Sequence, residues 1–138
     1  MNPKLEETKH ALVKSDFAVE AVQALDEAHF GNWVLVASRG PLVVRIASDR
    51  GDIQIDLMPY HRFAAGLTEE SNWYNWDVVA QALGLQTKNG VDTLTSFLHQ
   101  SGLLESEFQP DGWEDILPKL RSVQKEKRRR LMEGQIHD

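Results

Sequence analysis

Cysteine is absent from the 138-residue chain. Its absence excludes disulfides, thiolate zinc sites, iron–sulfur clusters and cysteine nucleophiles, and it suits a reducing compartment. The chain also lacks any uncharged apolar run near the roughly 18 residues that span a bilayer. Its first residues, MNPKLEETKHALVKSDF, contain acidic side chains and lack the apolar core of a secretory signal. The sequence therefore predicts a cytoplasmic protein that does not enter a membrane.

Signatures of catalysis and of cofactor binding are missing as well. The five histidines show neither H-x-x-x-H nor H-E-x-x-H spacing, so no metal site is predicted. The chain contains no G-x-G-x-x-G, G-x-x-x-x-G-K-[ST] or G-x-S-x-G segment, which leaves no sign of dinucleotide, nucleoside triphosphate or hydrolase chemistry. We therefore predict no catalytic residues, no metal and no cofactor.

Charge is plentiful but unevenly distributed, with a net value of −6. Residues 119–138 carry seven Lys/Arg against three Asp/Glu, whereas the other 118 residues carry eight against eighteen. An acidic surface of this strength repels phosphates and attracts basic molecules. The charges divide a single domain into an acidic body, residues 1–118, and a basic helical tail, residues 119–138. They predict a basic protein as the partner rather than nucleic acid.

The tail concentrates its charge in KEKRRR, residues 125–130. Such a run can bind phosphates or anionic lipid. Lys and Arg near the end of a helix also favour its dipole, so the tail could simply lie in water beside the acidic body. Contact with a protein partner is a third alternative. No aromatic residues alternate with the basic ones, which argues against single-stranded nucleic acid.

A helix is predicted over FAVEAVQALDEAHF, residues 17–30, because its apolar residues recur at intervals of three and four. Ser15 or Asp16 is the predicted N-cap of this helix. Residues 5–14 add a looser helix before it. Gly31 ends the helical pattern.

The hydrophobic period then changes to two residues, as expected for strands. Apolar and β-branched residues predict strands at 33–38, 42–47 and 53–57. A Gly-Pro turn at 40–41 and a hairpin loop at 48–52 join them. A parallel crossover would need a dozen residues or more. The three strands are therefore predicted to form an antiparallel meander with one buried face and one wet face.

Helical patterning resumes after an irregular segment at residues 58–71. It covers residues 73–85 and 91–101 and, after a break at QPDGW, the last stretch from Glu114 onward. Pro118 fits that last helix only near its first turn. The predicted fold is α+β: an N-terminal helix, a three-stranded antiparallel meander, and three helices packed on the sheet.

Three large rings lie close together in SNWYNW, at Trp73, Tyr74 and Trp76. If Ser71 or Asn72 caps the helix, both tryptophans fall on one helical face that packs on the sheet. Tyr74 then lies on another side. The rings are predicted to be mainly structural, and the alternative is that Tyr74 stays exposed as an anchor for a protein partner.

Carboxylates surround the predicted hairpin at Asp49, Asp52 and Asp56. Asp52 and Asp56 share strand parity with Gln54, so both are expected on the wet face. Paired carboxylates can perform acid–base chemistry or hold Mg²⁺. Because no His or Lys accompanies them in a known pattern, a solvated sheet face is the interpretation that we favour.

Two segments, FGNWVLVASRGPLVVRIASDRGDIQIDLMP and WYNWDVVAQALGL, resemble small bacterial proteins of unassigned function. Some proteins of that kind resemble immunity partners of polymorphic toxins. The resemblance covers residues 30–85 and implies three strands followed by a helix, but it supplies no active-site residues. The motifs are R-x-x-x-D-R-G and W-[YF]-x-x-D, matched here by Arg45, Asp49, Arg50, Gly51, Trp73, Tyr74 and Asp77.

Small size, missing catalytic motifs and an acidic body predict a non-catalytic protein-binding module. Such a module could neutralise a basic effector, for example a nuclease toxin, as an immunity or inhibitor protein. The predicted contact residues are Asp49, Asp52, Asp56, Glu69, Glu70, Tyr74 and Asp77.

Two alternatives stay open. The chain could be a small enzyme in which His61 works with a nearby carboxylate, Asp56 or Glu69, inside a concave pocket. It could also be a structural or regulatory protein that self-associates through its C-terminal helix, residues 119–138.

Overall fold

The structure is a computed structural model and describes residues 3–24, 31–85 and 92–136. Over these residues, most of the helices cover one face of an antiparallel sheet whose strands lie in the order β1-β2-β3-β4-β5. The strands are β1 (Ala18–Ala24), β2 (Trp33–Arg39), β3 (Leu42–Asp49), β4 (Asp52–Pro59) and β5 (Tyr74–Asn75). The α-helices are α1 (Pro3–Lys14), α2 (Tyr60–Ala64), α3 (Trp76–Leu83), α4 (Thr93–Gln100) and α5 (Pro110–Ile136), with 3₁₀ turns at Glu70–Asn72 and Ser101–Leu104.

The predicted three-stranded meander is wrong, because the described residues contain a five-stranded sheet. The three predicted strands correspond to β2, β3 and β4, which pair as expected but extend further. The main error is at residues 18–24, where the sequence pattern predicts a helix and the chain forms β1. Residues 25–30 of that predicted helix lie outside the described residues. The N-terminal helix is instead α1, which includes residues 5–14, where the sequence predicts only a looser helix.

The change from α1 to β1 takes place at Asp16, whose φ of +70° is left-handed. The N–H of Phe17 donates to the Leu12 carbonyl at 2.9 Å, and the N–H of Asp16 donates to the Val13 carbonyl at 3.0 Å. These two bonds form a Schellman motif, which ends a helix. Asp16 therefore terminates α1 instead of capping a second helix, and the chain continues as a strand.

The main core lies between the sheet and the helices. Leu35, Ile46 and Ile55 stand in register across β2, β3 and β4, and each is at most 1% exposed. From the helical side, Trp76 of α3 and Trp113 of α5 join the same cluster. Burial of side chains of this size contributes on the order of 1.5–3 kcal/mol each. This packing fixes which face of the sheet is left uncovered.

The hairpin between β3 and β4 closes with a two-residue turn, Arg50–Gly51. Both residues have positive φ, +53° and +88°, a pairing that matches the twist of the flanking strands. The N–H of Arg50 donates to Oδ1 of Asn32 at 2.9 Å, and Nδ2 of Asn32 donates to Asp49 at 3.2 Å. The predicted hairpin is confirmed, and Asn32 braces it from outside.

The segment SNWYNW does not form one helical face. Tyr74 and Asn75 form β5, and α3 begins only at Trp76, with Asn75 as its N-cap. Trp73 lies before the strand and joins a second cluster on the opposite face of the sheet from Trp76. The predicted shared face is therefore wrong. The structural role predicted for the rings is confirmed, because each is at most 6% exposed.

α5 is longer than its pattern predicts. It begins at Pro110, a residue favoured in the first helical position, so QPDGW starts the helix instead of breaking the chain. Pro118 lies inside the helix and not in its first turn, and one backbone hydrogen bond is lost there. α5 continues past Lys119 without interruption, so the basic tail is the C-terminal part of this helix.

Candidate protein-binding face

The face of the sheet that points away from the main core is covered only at one end. Val43 and Met58 form a small cluster there with Trp73, and Val36 and Phe63 pack against it. Val43 and Met58 are 0% exposed, so this end is a genuine second core. It forms because the segment between β4 and β5 folds back over the sheet and buries its rings.

Arg45 of β3 joins that returning segment to the sheet. Its guanidinium donates to both carboxylate oxygens of Glu70, at 2.7 and 2.8 Å, and to Asp56 at 2.9 Å. Its Cζ also lies 4.5 Å from the centre of the Trp73 ring. A bidentate, stacked guanidinium holds a fixed geometry that a lysine could not reproduce. Two carboxylates share one cation, so this group keeps a negative charge.

These contacts also fix protonation states. Hydrogen bonds from Arg45 lower the pKa of Glu70 below its ordinary value, although slight burial opposes this. Burial disfavours the charged form of Arg45, but its hydrogen bonds to Glu70 and Asp56 outweigh that effect and raise its pKa. A general acid or base needs a pKa near the working pH. Arg45 and Glu70 are therefore suited to holding the returning segment on the sheet and to presenting charge at the surface, not to proton transfer.

The uncovered part of this face extends over β1, β2, the C-terminal end of β3 and the N-terminal end of β4. All of β1 is exposed, and no strand within the described ranges pairs with its outer edge. We call this surface the open patch. Its residues form two rows across the strands. The first row is Gln23, Val34, Ala47 and Gln54, and the second consists of Ala21 and Val36, which lie beside Arg45.

Acidic side chains border the open patch. Asp52 lies at the start of β4, and Asp56 and Glu70 lie at the opposite end beside Arg45. On β1, Glu20 accepts a hydrogen bond of 2.6 Å from the Ser38 hydroxyl. An apolar centre inside a charged, wetter rim is the usual anatomy of a protein–protein interface.

Four of the predicted contact residues form one group. Asp52, Asp56 and Glu70 border the open patch, and Asp49 pairs with Asp52 at the end of the hairpin. The expected parity of Asp52 and Asp56 with Gln54 is confirmed by the register. The sequence thus identified much of the acidic rim.

The other three predicted contacts lie elsewhere or are hidden. Glu69 and Asp77 are exposed, next to a 3₁₀ turn and in the first turn of α3. Tyr74 is only 4% exposed, and its ring lies 5.7 Å from that of Trp113. The prediction of Tyr74 as an exposed anchor is wrong, because pairing of Tyr74 with Leu57 turns its side chain into the main core.

The contact residues predicted from the sequence do not include the apolar centre of the open patch. Val34 and Val36 alternate with Trp33 and Leu35, so strand parity carried the signal that they lie opposite the core. Ala21 carried no such signal, because its segment fits helical spacing equally well. Apart from Tyr74, the contact residues predicted from the sequence are all acidic, so they include much of the rim and none of the centre.

His61 lies at the start of α2 and not in an irregular loop. Its Nδ1 is buried and makes no hydrogen bond within the described part of the chain. It faces a groove of about 370 Å³, but neither Asp56 nor Glu69 lines that groove. The concavity required for the enzyme alternative is present, whereas the carboxylate partner is not. The remaining lining residues are Gly40, Pro41, Tyr60, Phe108, Gln109 and Pro110.

Comparisons with known proteins add no assignment. The chain matches no family model, no curated protein and no solved structure. Among the residues that the structure describes, no group of three or more His, Cys, Asp or Glu could hold a metal ion. None of the described helices is long and apolar enough to cross a membrane. Geometry and charge are therefore the grounds for a functional proposal.

Proposed function

We propose that the protein is a non-catalytic binding module that captures a basic protein through the open patch. One observation carries the proposal: a half-exposed apolar sheet face with an acidic rim, at a sheet edge left unpaired in the described residues. Binding of a complementary surface would remove these apolar side chains from water, which favours association.

Charge favours a basic partner over a neutral one. Eighteen of the 21 acidic residues lie in residues 1–118, against eight basic ones. A field of this sign speeds the approach of a basic protein and disfavours acidic competitors. A nuclease toxin that carries Lys and Arg for its own phosphate substrate would fit, and neutralisation of such an effector is the role that we infer.

The edge of the sheet supplies a second means of contact. β1 contains a single charged residue, Glu20, and neither Pro nor Lys, although natural proteins commonly use those residues to protect an edge strand. A partner that rests on the open patch could also pair its own backbone with β1. This would add directional hydrogen bonds to the electrostatic attraction.

The proposal is tested with three versions of the protein used as bait: wild type and two double variants that reverse two charges each, at different places. Wild type is compared with the double variant Glu20→Lys/Asp52→Lys, which reverses two charges of the rim. The matched control is Glu7→Lys/Asp115→Lys, which makes the same change on exposed positions of α1 and α5, in the helical layer. Each bait captures proteins from a lysate of the source cell at low and at high salt, and bound proteins are identified by mass spectrometry.

We expect a basic protein that wild type and control retain at low salt and that the rim variant loses. The complex should weaken as salt rises, because exposed charges are screened. Equal capture by all three baits, or no basic protein in any of them, would refute the proposed surface. Circular dichroism of each bait establishes that the variants are folded.

A further inference from the structure

A second surface lies between α3 and the C-terminal part of α5. It is a groove of about 580 Å³, and it is separate from the open patch because these helices cover the other face of the sheet. Its size falls within the range of small-molecule sites. The residues that line it are Gln81, Ser122, Val123, Lys125, Glu126, Arg128, Arg129 and Met132.

Among the described residues that line the groove, the one carboxylate is already neutralised by neighbouring arginines. Glu126 accepts hydrogen bonds from Arg129 at 2.6 and 3.1 Å and forms an ion pair with Arg130 at 3.3 Å. The hydrogen bonds from Arg129 lower the pKa of Glu126, so it stays ionised. Arg129 also donates to Glu133 at 2.7 Å. Acidic and basic groups are thus paired along this side of the helix.

Two cations in the groove remain outside this network. The side chains of Lys125 and Arg128 make no hydrogen bond or ion pair with any other residue that the structure describes. They are three residues apart on α5, a spacing at which helical side chains are neighbours. The groove therefore presents two uncompensated positive charges close together on an otherwise acidic protein.

Apolar and neutral polar groups complete the groove. Val123 is half-buried and Met132 is 62% exposed, so both offer apolar surface to a ligand. Ser122 and Gln81 add groups that can donate hydrogen bonds. An anion alone would leave the apolar wall in water, and an apolar molecule alone would leave the two cations unpaired.

We propose that this groove binds a small amphiphilic anion. Its carboxylate or phosphate head lies between Lys125 and Arg128, and its apolar body covers Val123 and Met132. The inference does not depend on the function proposed for the open patch, and it gives a role to two of the basic residues in this part of α5.

Binding is measured by isothermal titration calorimetry with the full chain and four probes below their micelle concentrations. Decanoate and decyl phosphate carry both head and tail, inorganic phosphate carries only the head, and decyltrimethylammonium carries the tail with the opposite charge. The test variant is Lys125→Ala/Arg128→Ala. The charge-matched control is Lys119→Ala/Arg121→Ala, which removes two cations from the same helix outside the groove.

We expect saturable binding of decanoate or decyl phosphate that is at least tenfold weaker in the test variant and unchanged in the control, as for loss of charge-assisted hydrogen bonds. Met132→Ser should weaken the same probes without affecting inorganic phosphate. Equal binding of the cationic probe, equal loss in both variants, or no saturation up to about 1 mM would overturn the proposal. Sedimentation with phosphatidylserine vesicles distinguishes a free amphiphilic anion from a lipid surface. Binding to vesicles but to no monomeric probe would also overturn the proposal, in favour of a membrane surface.

Discussion

Single residues decide where elements begin and end in this fold, and Asp16 is the clearest case. Asp is favoured both as an N-cap and, among residues other than Gly, in the left-handed conformation. The sequence predicts the first role, and the structure has the second, with φ at +70°. The choice depends on the preceding helix, whose last carbonyls accept the N–H groups of Asp16 and Phe17. Local sequence alone does not distinguish these outcomes.

Replacing Asp16 with Gly should therefore stabilise the protein. Glycine adopts left-handed φ without steric penalty, and we expect a gain of about 0.5–1 kcal/mol after its greater freedom in the unfolded chain is subtracted. Urea unfolding followed by circular dichroism measures the change. The control Asp16→Ala keeps a Cβ and should give no gain. A lower free energy of unfolding for Asp16→Gly would contradict the assigned role.

Gly112 should not tolerate alanine, although alanine is the better helix former. A Cβ at this position would lie 2.2 Å from the Ser106 carbonyl oxygen and 2.9 Å from Cα of Glu107. Both are backbone atoms, so the loop before α5 would have to move, at a cost of about 1–3 kcal/mol. Gly102→Ala is the control, because a Cβ there meets nothing within 4 Å. Equal stability of the two variants in urea would contradict this packing.

Glu70 should make a contribution to stability that depends on pH. Its folded pKa lies below the ordinary value of 4.5, so the contribution is fully present above that value and is lost as the pH falls through the folded pKa. Because the side chain is 81% exposed, solvent screening keeps the effect below about 1 kcal/mol. The difference in free energy of unfolding between wild type and Glu70→Gln should be present at pH 7 and shrink in acid. A difference that does not change with pH would contradict the ion pair with Arg45.

At the scale of elements, the sequence predicts the strands that have one buried face and fails where that condition is absent. Ile53, Ile55 and Leu57 alternate with polar residues, and β4 is predicted correctly. β1 is exposed along its whole length, so no alternation marks it, and its apolar residues fit helical spacing. β5 has only two residues and is too short for a periodic signal.

The start of α3 offers a direct test of the observed boundary. The sequence places the cap at Ser71 or Asn72, whereas in the structure Oδ1 of Asn75 accepts the N–H of Asp77 at 2.9 Å. Asn75→Ala should lower the free energy of unfolding by about 1 kcal/mol. Ser71→Ala should stay within about 0.5 kcal/mol of wild type. A larger loss of stability for Ser71→Ala than for Asn75→Ala in thermal or urea unfolding would contradict the observed boundary and support the one that the sequence predicts.

At the scale of the whole molecule, the division of charge could be read from the sequence, but its placement could not. The acidic rim depends on the register that sets Asp52 and Asp56 on one face. The apolar centre depends on β1 adding to the sheet beyond β2, which the sequence does not predict. The acidic carboxylates and the apolar centre become one surface only through the five-stranded sheet.

Amide hydrogen exchange of the chain with and without its captured basic partner tests the central claim most directly. The outward N–H groups of β1 have no strand partner among the described residues and should exchange quickly in the free protein. We predict that the partner slows exchange in residues 18–24 and, to a smaller extent, in residues 33–39. Protection confined to α5 or to the groove beside His61, with β1 unchanged, would contradict the account.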